Sequence, residues 1–287
     1  MAFKKRSLRI QFHYKGDAAE QVLDITDLRT EAIISNPGGD NMFGVCQLRV
    51  FGMLLSDMQR FTTDGVAALQ VHGDTVKVLA GTEGEPIQQV FAGTIYSAYV
   101  DFSGQPDVCL NITARSAFYE QVTPATRTSV KGSDKVSKVI EGLAKKMGHG
   151  FHDGGVDSII TDSYVTGPVV KQIKAIAAAA NIPVSFENNI VAIWPNQAAR
   201  DSEIIDVSPG KGLVGYPIYQ TWGLEVRTIF NPNFLIGRKV KLSGSALPKA
   251  DGIWYVVSAT HELSAVASNG PWYSSVRLTT SGLYVRF

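Results

Sequence analysis

Apolar and polar residues alternate along most of the chain, which is the pattern of half-buried β-strands. Residues 7–14 show this pattern first, with Leu8, Ile10 and Phe12 on one face and polar residues on the other. A short helix with one apolar side is predicted over residues 54–61. Further alternating or β-branched runs between Gly, Pro and Asn turns predict strands at residues 22–25, 32–34, 45–50, 75–79, 90–100, 108–114, 204–207, 224–230, 240–242, 253–263 and 273–278.

The pattern changes to a helical period in the middle of the chain. The first helix is predicted from one apolar stripe, which is formed by Val136, Val139, Ile140, Leu143 and Met147. Ser133 or Asp134 would cap the start of this helix, and Gly148 would end it.

A second helix is predicted to carry Pro168 at its first helical position, where the missing N–H group costs no hydrogen bond. Asn181 and Pro183 would end it. Its apolar face is formed by Val169, Val170, Ile173, Ile176, Ala177 and Ala180. Residues 184–186 and 190–194, joined by a polar turn, then predict a β-hairpin. Two helices and a hairpin make a small α+β module.

These patterns predict a mainly β protein with an α+β insert. The expected domains are a first β-barrel domain at residues 1–125, a helix-helix-hairpin insert module at 126–203 and a second β-barrel domain at 204–287. The two flanks show the same succession of elements, with an offset of 164 residues between Val76 and Val240 and of 166 between Ile112 and Leu278. A near-constant offset predicts two β domains of one design, with chance similarity between Val-rich strands as the alternative.

Composition narrows the class of protein further. The 287 residues are 45% hydrophobic and 18% charged, with a net charge of +1, so no overall electrostatic attraction to nucleic acid or to an anionic membrane is expected. The low charged fraction suits a β-rich protein that covers much of its surface with other subunits. Cys46 and Cys109 lie in apolar runs and are expected to be buried thiols. With no signal peptide and no long apolar run, we expect assembly in a reducing cytoplasm and no membrane span.

Candidate chemical motifs lack the context that their chemistry needs. Residues 210–215 spell G-x-G-x-x-G, but Pro217 blocks the helix that a dinucleotide site requires, so a flexible loop over residues 208–217 is predicted. His149 and His152 lie near Asp153 and Asp157 in a Gly-rich loop, which fixes no ligand spacing for a metal.

The remaining candidates are equally weak. His261 and Glu262 are neighbours in a predicted strand and would point to opposite faces, which works against a zinc-deaminase type His-x-Glu site. Core packing is the favoured role of the four tryptophans, Trp194, Trp222, Trp254 and Trp272, over stacking on sugars or bases. We therefore predict no catalytic residue, no cofactor-binding residue and no metal ligand.

A series of sequence strings spans nearly the whole chain, at residues 76–81, 90–95, 133–195, 210–217, 230–232, 261–263 and 271–272. These strings, in this order, resemble the hub proteins at the centre of bacteriophage tail baseplates, in the contractile-tail family. It implies barrels like those of tail-tube subunits, a homotrimer between the six-fold tube and the three-fold spike, and a channel for genome passage. The implied partners are the tail tube protein, the central spike protein and other baseplate proteins, without sequence-specific nucleic acid binding. The implied location is the virion.

A second function class stays open, namely a cell-wall glycan-binding or peptidoglycan-degrading tail protein. Its basis is the insert, whose size is similar to that of a lysin-motif module. Activity on purified peptidoglycan separates this class from a structural hub.

Overall fold

A computed structural model describes residues 5–15, 20–38, 43–63 and 73–280. The fold is mainly β, with 49% of residues in strands and 16% in helices. The helices are α1 (Leu55–Phe61), α2 (Phe118–Val122), α3 (Val136–Lys146) and α4 (Val169–Ala179). The strands are β1 (Arg6–Lys15), β2 (Glu20–Ile25), β3 (Thr30–Asn36), β4 (Val45–Phe51), β5 (Thr75–Thr82), β6 (Gln88–Asp101), β7 (Cys109–Arg115), β8 (Thr128–Ser129), β9 (Ser133–Lys135), β10 (Gly150–Asp153), β11 (Ile159–Thr161), β12 (Tyr164–Val165), β13 (Val184–Glu187), β14 (Ile190–Ile193), β15 (Ile204–Val207), β16 (Leu213–Gln220), β17 (Gly223–Ile229), β18 (Lys239–Leu242), β19 (Gly252–Ala265) and β20 (Trp272–Thr279).

All the predicted strands and the helix over residues 54–61 are present, but the loop predicted over residues 208–217 is wrong. A 3₁₀ helix at Pro209–Lys211 is followed directly by β16. The strand was missed because Gly215 and Pro217 break its alternation. In the structure both fall between Val214 and Ile218, where the pairing of β16 with β17 is irregular, and an edge strand tolerates Pro at such a place.

The two predicted helices are confirmed as α3 and α4, while the expected caps are wrong. Lys135 precedes α3 and makes no side-chain capping bond; the Asp134 carboxylate instead accepts the Lys135 N–H at 2.9 Å. Pro168 precedes the first turn of α4 in an extended conformation instead of occupying it. Gly148 follows α3 with a φ of 71°, which agrees with its predicted role at the helix end.

The insert has its own small core and sheet. The predicted hairpin is present as β13 and β14, and β10 adds to it in parallel. Asn188 and Asn189 form its turn with φ values of 54° and 60°, which asparagine tolerates better than most residues. The apolar faces of α3 and α4 pack on this sheet. Phe186 stacks on Phe43 at 5.4 Å between ring centroids and connects the insert to the first β region.

One large sheet runs through both flanking regions in the order β16-β17-β20-β19-β3-β4-β7-β6-β5-β1-β2, with β18 on β19 and β15 on β18. The connection is β19, whose first part pairs with β18 and whose last part, residues 259–265, pairs with β3. In the part of the chain that the structure describes, no closed barrel is found. The predicted pair of barrels and the domain boundaries stay a prediction.

The two flanks have the same strand order. It reads β3-β4-β7-β6-β5-β1 in the first flank and β16-β17-β20-β19-β18-β15 in the second. Both long strands carry an irregularity at the same place, between Ile95 and Ser97 in β6 and between Val256 and Ser258 in β19. The last pairing differs, because β1 lies antiparallel to β5 while β15 lies parallel to β18. The shared order over six strands supports the repeat predicted from the sequence offset.

Candidate functional site: the strand seam and its flanking edges

The contact between β3 and β19 is the main seam between the two flanks. Seven residue pairs are in register along it, from Ala259 opposite Asn36 to Ala265 opposite Thr30. The core-facing side chains run across the seam without a gap: Ile34 is 0% exposed and lies opposite His261, which is 2% exposed. The seam therefore also brings Leu263 and Ala265 of β19 into the hydrophobic core of the first flank.

Side chains from distant segments reinforce this seam. The Arg6 guanidinium donates to the Gly270 carbonyl at 2.8 Å and lies 5.8 Å from the Trp272 ring. The Phe230 ring contacts both Trp272 and His261 edge-on. Because Trp272 packs in the core of the first flank, strand β20 helps to complete a core that the first strands begin.

His261 has a structural environment. Its Nδ1 atom lies 2.8 Å from the Ser274 hydroxyl, and complete burial lowers its pKa to about 4, so the ring is neutral at physiological pH. The neighbouring Glu262 is half exposed on the other face, 3.9 Å from Arg227. The two residues point to opposite faces, as predicted.

The candidate ligand residues around His149 and His152, which were not expected to bind a metal, do not come together in the structure. His149 Nε2 lies 3.6 Å from Glu120 Oε1, and burial lowers the pKa of His149 and raises that of Glu120, because desolvation penalises the charged form of each. His152 Nε2 is instead 3.1 Å from the Arg200 carbonyl oxygen. Asp153 accepts backbone N–H groups of its own loop, and Asp157 is paired with a lysine. Within the described ranges, no group of three or more His, Cys, Asp or Glu side chains is placed to hold a metal ion.

A buried ion pair that the sequence does not reveal connects the insert to the second flank. Glu187 and Arg200 are each 3% exposed, and the guanidinium donates to the carboxylate at 2.5 Å. Ser185 also donates to this carboxylate, at 3.2 Å. The backbone N–H of Ile236 approaches its other oxygen at 3.5 Å, and the Arg200 N–H donates to the Gly237 carbonyl at 2.9 Å. Groups from both the insert and the second flank therefore form hydrogen bonds with this ion pair.

Other sequence candidates have mainly structural surroundings. Cys46 and Cys109 are buried free thiols, as predicted. Gly212 has a φ of 90° at the end of the 3₁₀ helix, and no helix follows it, so the G-x-G-x-x-G string does not have the strand–turn–helix setting of a dinucleotide site. Lys211 of this string pairs with Asp206 at 2.7 Å.

The expectation of core packing holds for three tryptophans and is wrong for Trp222. Trp194, Trp254 and Trp272 are buried, whereas Trp222 is only half-buried in the tight turn between β16 and β17. The Arg277 guanidinium lies 5.0 Å from its ring. An open cleft of about 380 Å³ is lined by Trp222, Arg277 and Asn36 of the seam.

Two strand edges, each three strands away from the seam on opposite sides, expose large apolar side chains. On β16 these are Tyr216, Ile218 and Tyr219, with 71%, 56% and 51% exposure. On the second half of β6 they are Tyr96 and Tyr99, at 50% and 56%. Because aromatic residues are enriched at protein–protein interfaces, these two edges are candidate assembly surfaces.

Comparison with known proteins gives a consistent result. The sequence profile of the family described as Baseplate hub gp41 matches residues 39–273. The tail protein from Neisseria meningitidis MC58 has a similar structure, with a TM-score of 0.61, 11% identity and coverage of 98% of both chains. The 43 kDa tail protein of prophage MuSo2 from Shewanella oneidensis gives 0.59 and 7% identity, over 97% of this chain and 98% of that one.

A third similar structure comes from a secretion system. The E. coli c3393 protein, a type VI secretion component with structural similarity to T4 bacteriophage tail proteins gp27 and gp5, gives a TM-score of 0.58 at 7% identity, over 91% of this chain and 76% of that one. No curated protein matches the sequence. No helix in the described ranges is long and apolar enough to cross a membrane. The family match covers most of the chain and agrees with the fold, so this chain belongs to the Baseplate hub gp41 family and is a structural component of a phage tail baseplate.

Proposed function

We propose that the protein is the central hub of the baseplate, a homotrimeric ring that joins the six-fold tail tube to the three-fold central spike and encloses the channel for genome passage. The observation that carries this proposal is the repeated strand order in one chain. Three chains with two related units each present six similar units, which a six-fold tube can contact on one side. On the other side the ring keeps true three-fold symmetry for the spike.

The seam between β3 and β19 supports the proposal because it is already a contact between two such units. It joins them through backbone pairing and through a shared core. A ring built from contacts of this kind buries its sheet edges, and open edges would otherwise pair with other chains. A ring interface also accounts for the low charged fraction of the sequence and for the exposed apolar side chains on β6 and β16.

The mass of the assembled particle tests the proposal. We expect light scattering after size-exclusion chromatography to give three times the mass of one chain, either for the protein alone or after addition of the spike protein. A complex that keeps one hub chain per particle, or that closes as a dimer, contradicts the ring.

The expected partners are the tail tube protein, the spike protein and other baseplate proteins, in a virion assembled in the host cytoplasm. We propose that the hub acts without enzymatic activity and without a metal or cofactor. Incubation with purified peptidoglycan should release no fragments, and metal analysis of protein purified without chelator should find no stoichiometric metal. Stoichiometric zinc would instead give His149 and His152 a role as ligands.

A further inference from the structure

We propose that the outer edge of β16 in one chain pairs, antiparallel, with the second half of β6 in the next chain, so that Tyr219 lies opposite Val100. This inference rests on the proposed trimeric ring and states which edges close it. The partner is a second copy of the chain, because the chain itself contains the template for the contact in its β3–β19 seam.

The first step is that β6 and β19 occupy equivalent places in the two flanks. Thr94 is the residue of β6 that pairs on both sides, with Thr75 of β5 and with Arg115 of β7. Tyr255 is its equivalent in β19, since it pairs with Lys239 of β18 and with Thr279 of β20. The irregularity follows two residues later in both strands. Counting on from these residues, Tyr99 of β6 corresponds to Thr260 of β19, and Val100 corresponds to His261.

The second step is that β16 occupies the place of β3. The hairpin β16–β17 matches β3–β4 at both ends: Phe51 N–H donates to the Arg29 carbonyl at 3.0 Å, and Ile229 N–H donates to the Gly212 carbonyl at 2.8 Å. At the other end of the strands, Ser35 pairs with Val45 and Gln220 pairs with Gly223. Gln220 therefore corresponds to Ser35, and Tyr219 corresponds to Ile34.

The backbone of each edge offers the required groups. Ladder hydrogen bonds of an antiparallel strand alternate between its two sides. The Ile229 N–H points to β16. Glu225 lies an even number of residues away in β17, so its backbone also bonds to β16, through its partner Ile218. Tyr219 is the next residue after Ile218, so its backbone N–H and carbonyl point to the open edge. In the described ranges, no strand other than β17 pairs with β16.

Beyond its pairing with β5, the outer edge of β6 is bonded at two places among the described residues: Ile95 N–H donates to the Asp74 carbonyl at 2.8 Å, and Ala98 bonds to Thr63. Thr63 N–H donates to the Ala98 carbonyl and the Thr63 hydroxyl accepts the Ala98 N–H, both at 2.8 Å. Thr63 thus takes the place that Asn36 takes beside Ala259 in the seam. The Val100 backbone, two residues further along, points to the same side and lies opposite the position that Tyr219 would occupy. Thr63 therefore fixes where the pairing between chains begins.

Side-chain burial supports the same contact. Tyr219 pairs with Leu224, so it lies on the core face of its sheet, yet it is 51% exposed. Its equivalent Ile34 is 0% exposed because β19 covers it. Docking of β6 from a second chain would cover Tyr219 in the same way and place it against Val100. Each chain has one edge of each kind, so the contact runs head to tail and can close into a ring.

The test uses single cysteine variants at a predicted cross-strand pair. Tyr99 and Gln220 correspond to Thr260 and Ser35, whose side-chain oxygens are 3.3 Å apart. We expect a mixture of Tyr99→Cys and Gln220→Cys chains, assembled together and oxidised, to give a disulfide-linked dimer of one chain of each kind on a non-reducing gel. Ser35→Cys with Thr260→Cys in one chain is the positive control and should close within the chain.

Ser97→Cys mixed with Gln220→Cys is the register control, because Ser97 lies on the same face as Tyr99 but two residues away. We expect at least a tenfold lower yield of the linked dimer from this mixture. An equal or higher yield overturns the register. A trimeric mass without any cross-link between positions 99 and 220 overturns this pairing while the proposed ring stands. A monomeric mass even with the spike protein overturns both.

Discussion

The buried pair of Glu187 and Arg200 gives a sharp test of how the insert is attached. The substitution Glu187→Gln keeps the size of the side chain but leaves the Arg200 guanidinium, which is 3% exposed, without its counter-charge. Breaking a buried pair from one side costs about 3–5 kcal/mol, because an uncompensated charge stays out of water. The lost acceptor also weakens the contacts of Ser185 and Ile236 with this carboxylate, so we expect the upper half of this range.

The free energy of unfolding measured in urea should fall by that amount, and the melting temperature should fall by roughly 10 °C. Glu141→Gln is the matched control, since it removes a carboxylate from the exposed pair with Lys145 on α3, and it should cost less than about 1 kcal/mol. The double variant Glu187→Gln with Arg200→Met should recover part of the loss, because it also removes the buried charge. A loss below about 1 kcal/mol for Glu187→Gln alone would refute this account of the pair.

Three further predictions concern the cores. Ile140→Ala in α3, where the side chain is 0% exposed, should destabilise the protein by about 2–5 kcal/mol in urea unfolding, and a loss below about 1 kcal/mol would contradict tight packing there. Burial raises the pKa of the Cys46 thiol, so a thiol reagent should label Cys46 only after unfolding; labelling of the native protein, located by mass spectrometry, would contradict its burial. The pKa of His261 is about 4 when folded and about 6.5 when unfolded, so below pH 6.5 the unfolded chain binds a proton that the folded chain does not. Urea unfolding should therefore show about 3 kcal/mol lost between pH 6.5 and pH 4, and His261→Gln should remove that part of the slope.

The sequence predicts local structure well because its signals are local. The period of two in β1 and the stripe through Val136 and Ile140 in α3 lie within a few residues, and both elements are present. β16 is not predicted, because Gly215 and Pro217 interrupt its alternating pattern. An edge strand tolerates these two residues where its pairing is irregular.

The contacts that organise the candidate site could not be predicted in this way. The β3–β19 seam pairs residues more than two hundred positions apart, and no local periodicity encodes such a partner. Glu187 begins a polar turn and has the sequence context of an exposed residue, so its burial against Arg200 leaves no sequence signal. The repeat offset was the one long-range signal, and it indicated the shared strand order although not the seam.

The late arrival of β19 and β20 has a consequence for synthesis on the ribosome. Leu263, Ala265 and Trp272 fill part of the core of the first flank, so that core stays incomplete until the chain has been made as far as Trp272. Until then the edge of β3 lacks the strand that covers it in the finished protein. Pairing at such a long sequence separation is slow, because a large loop must close before any contact forms. The nascent first flank therefore presents an uncovered strand edge to other chains during translation, and its protection depends on how soon β19 and β20 emerge.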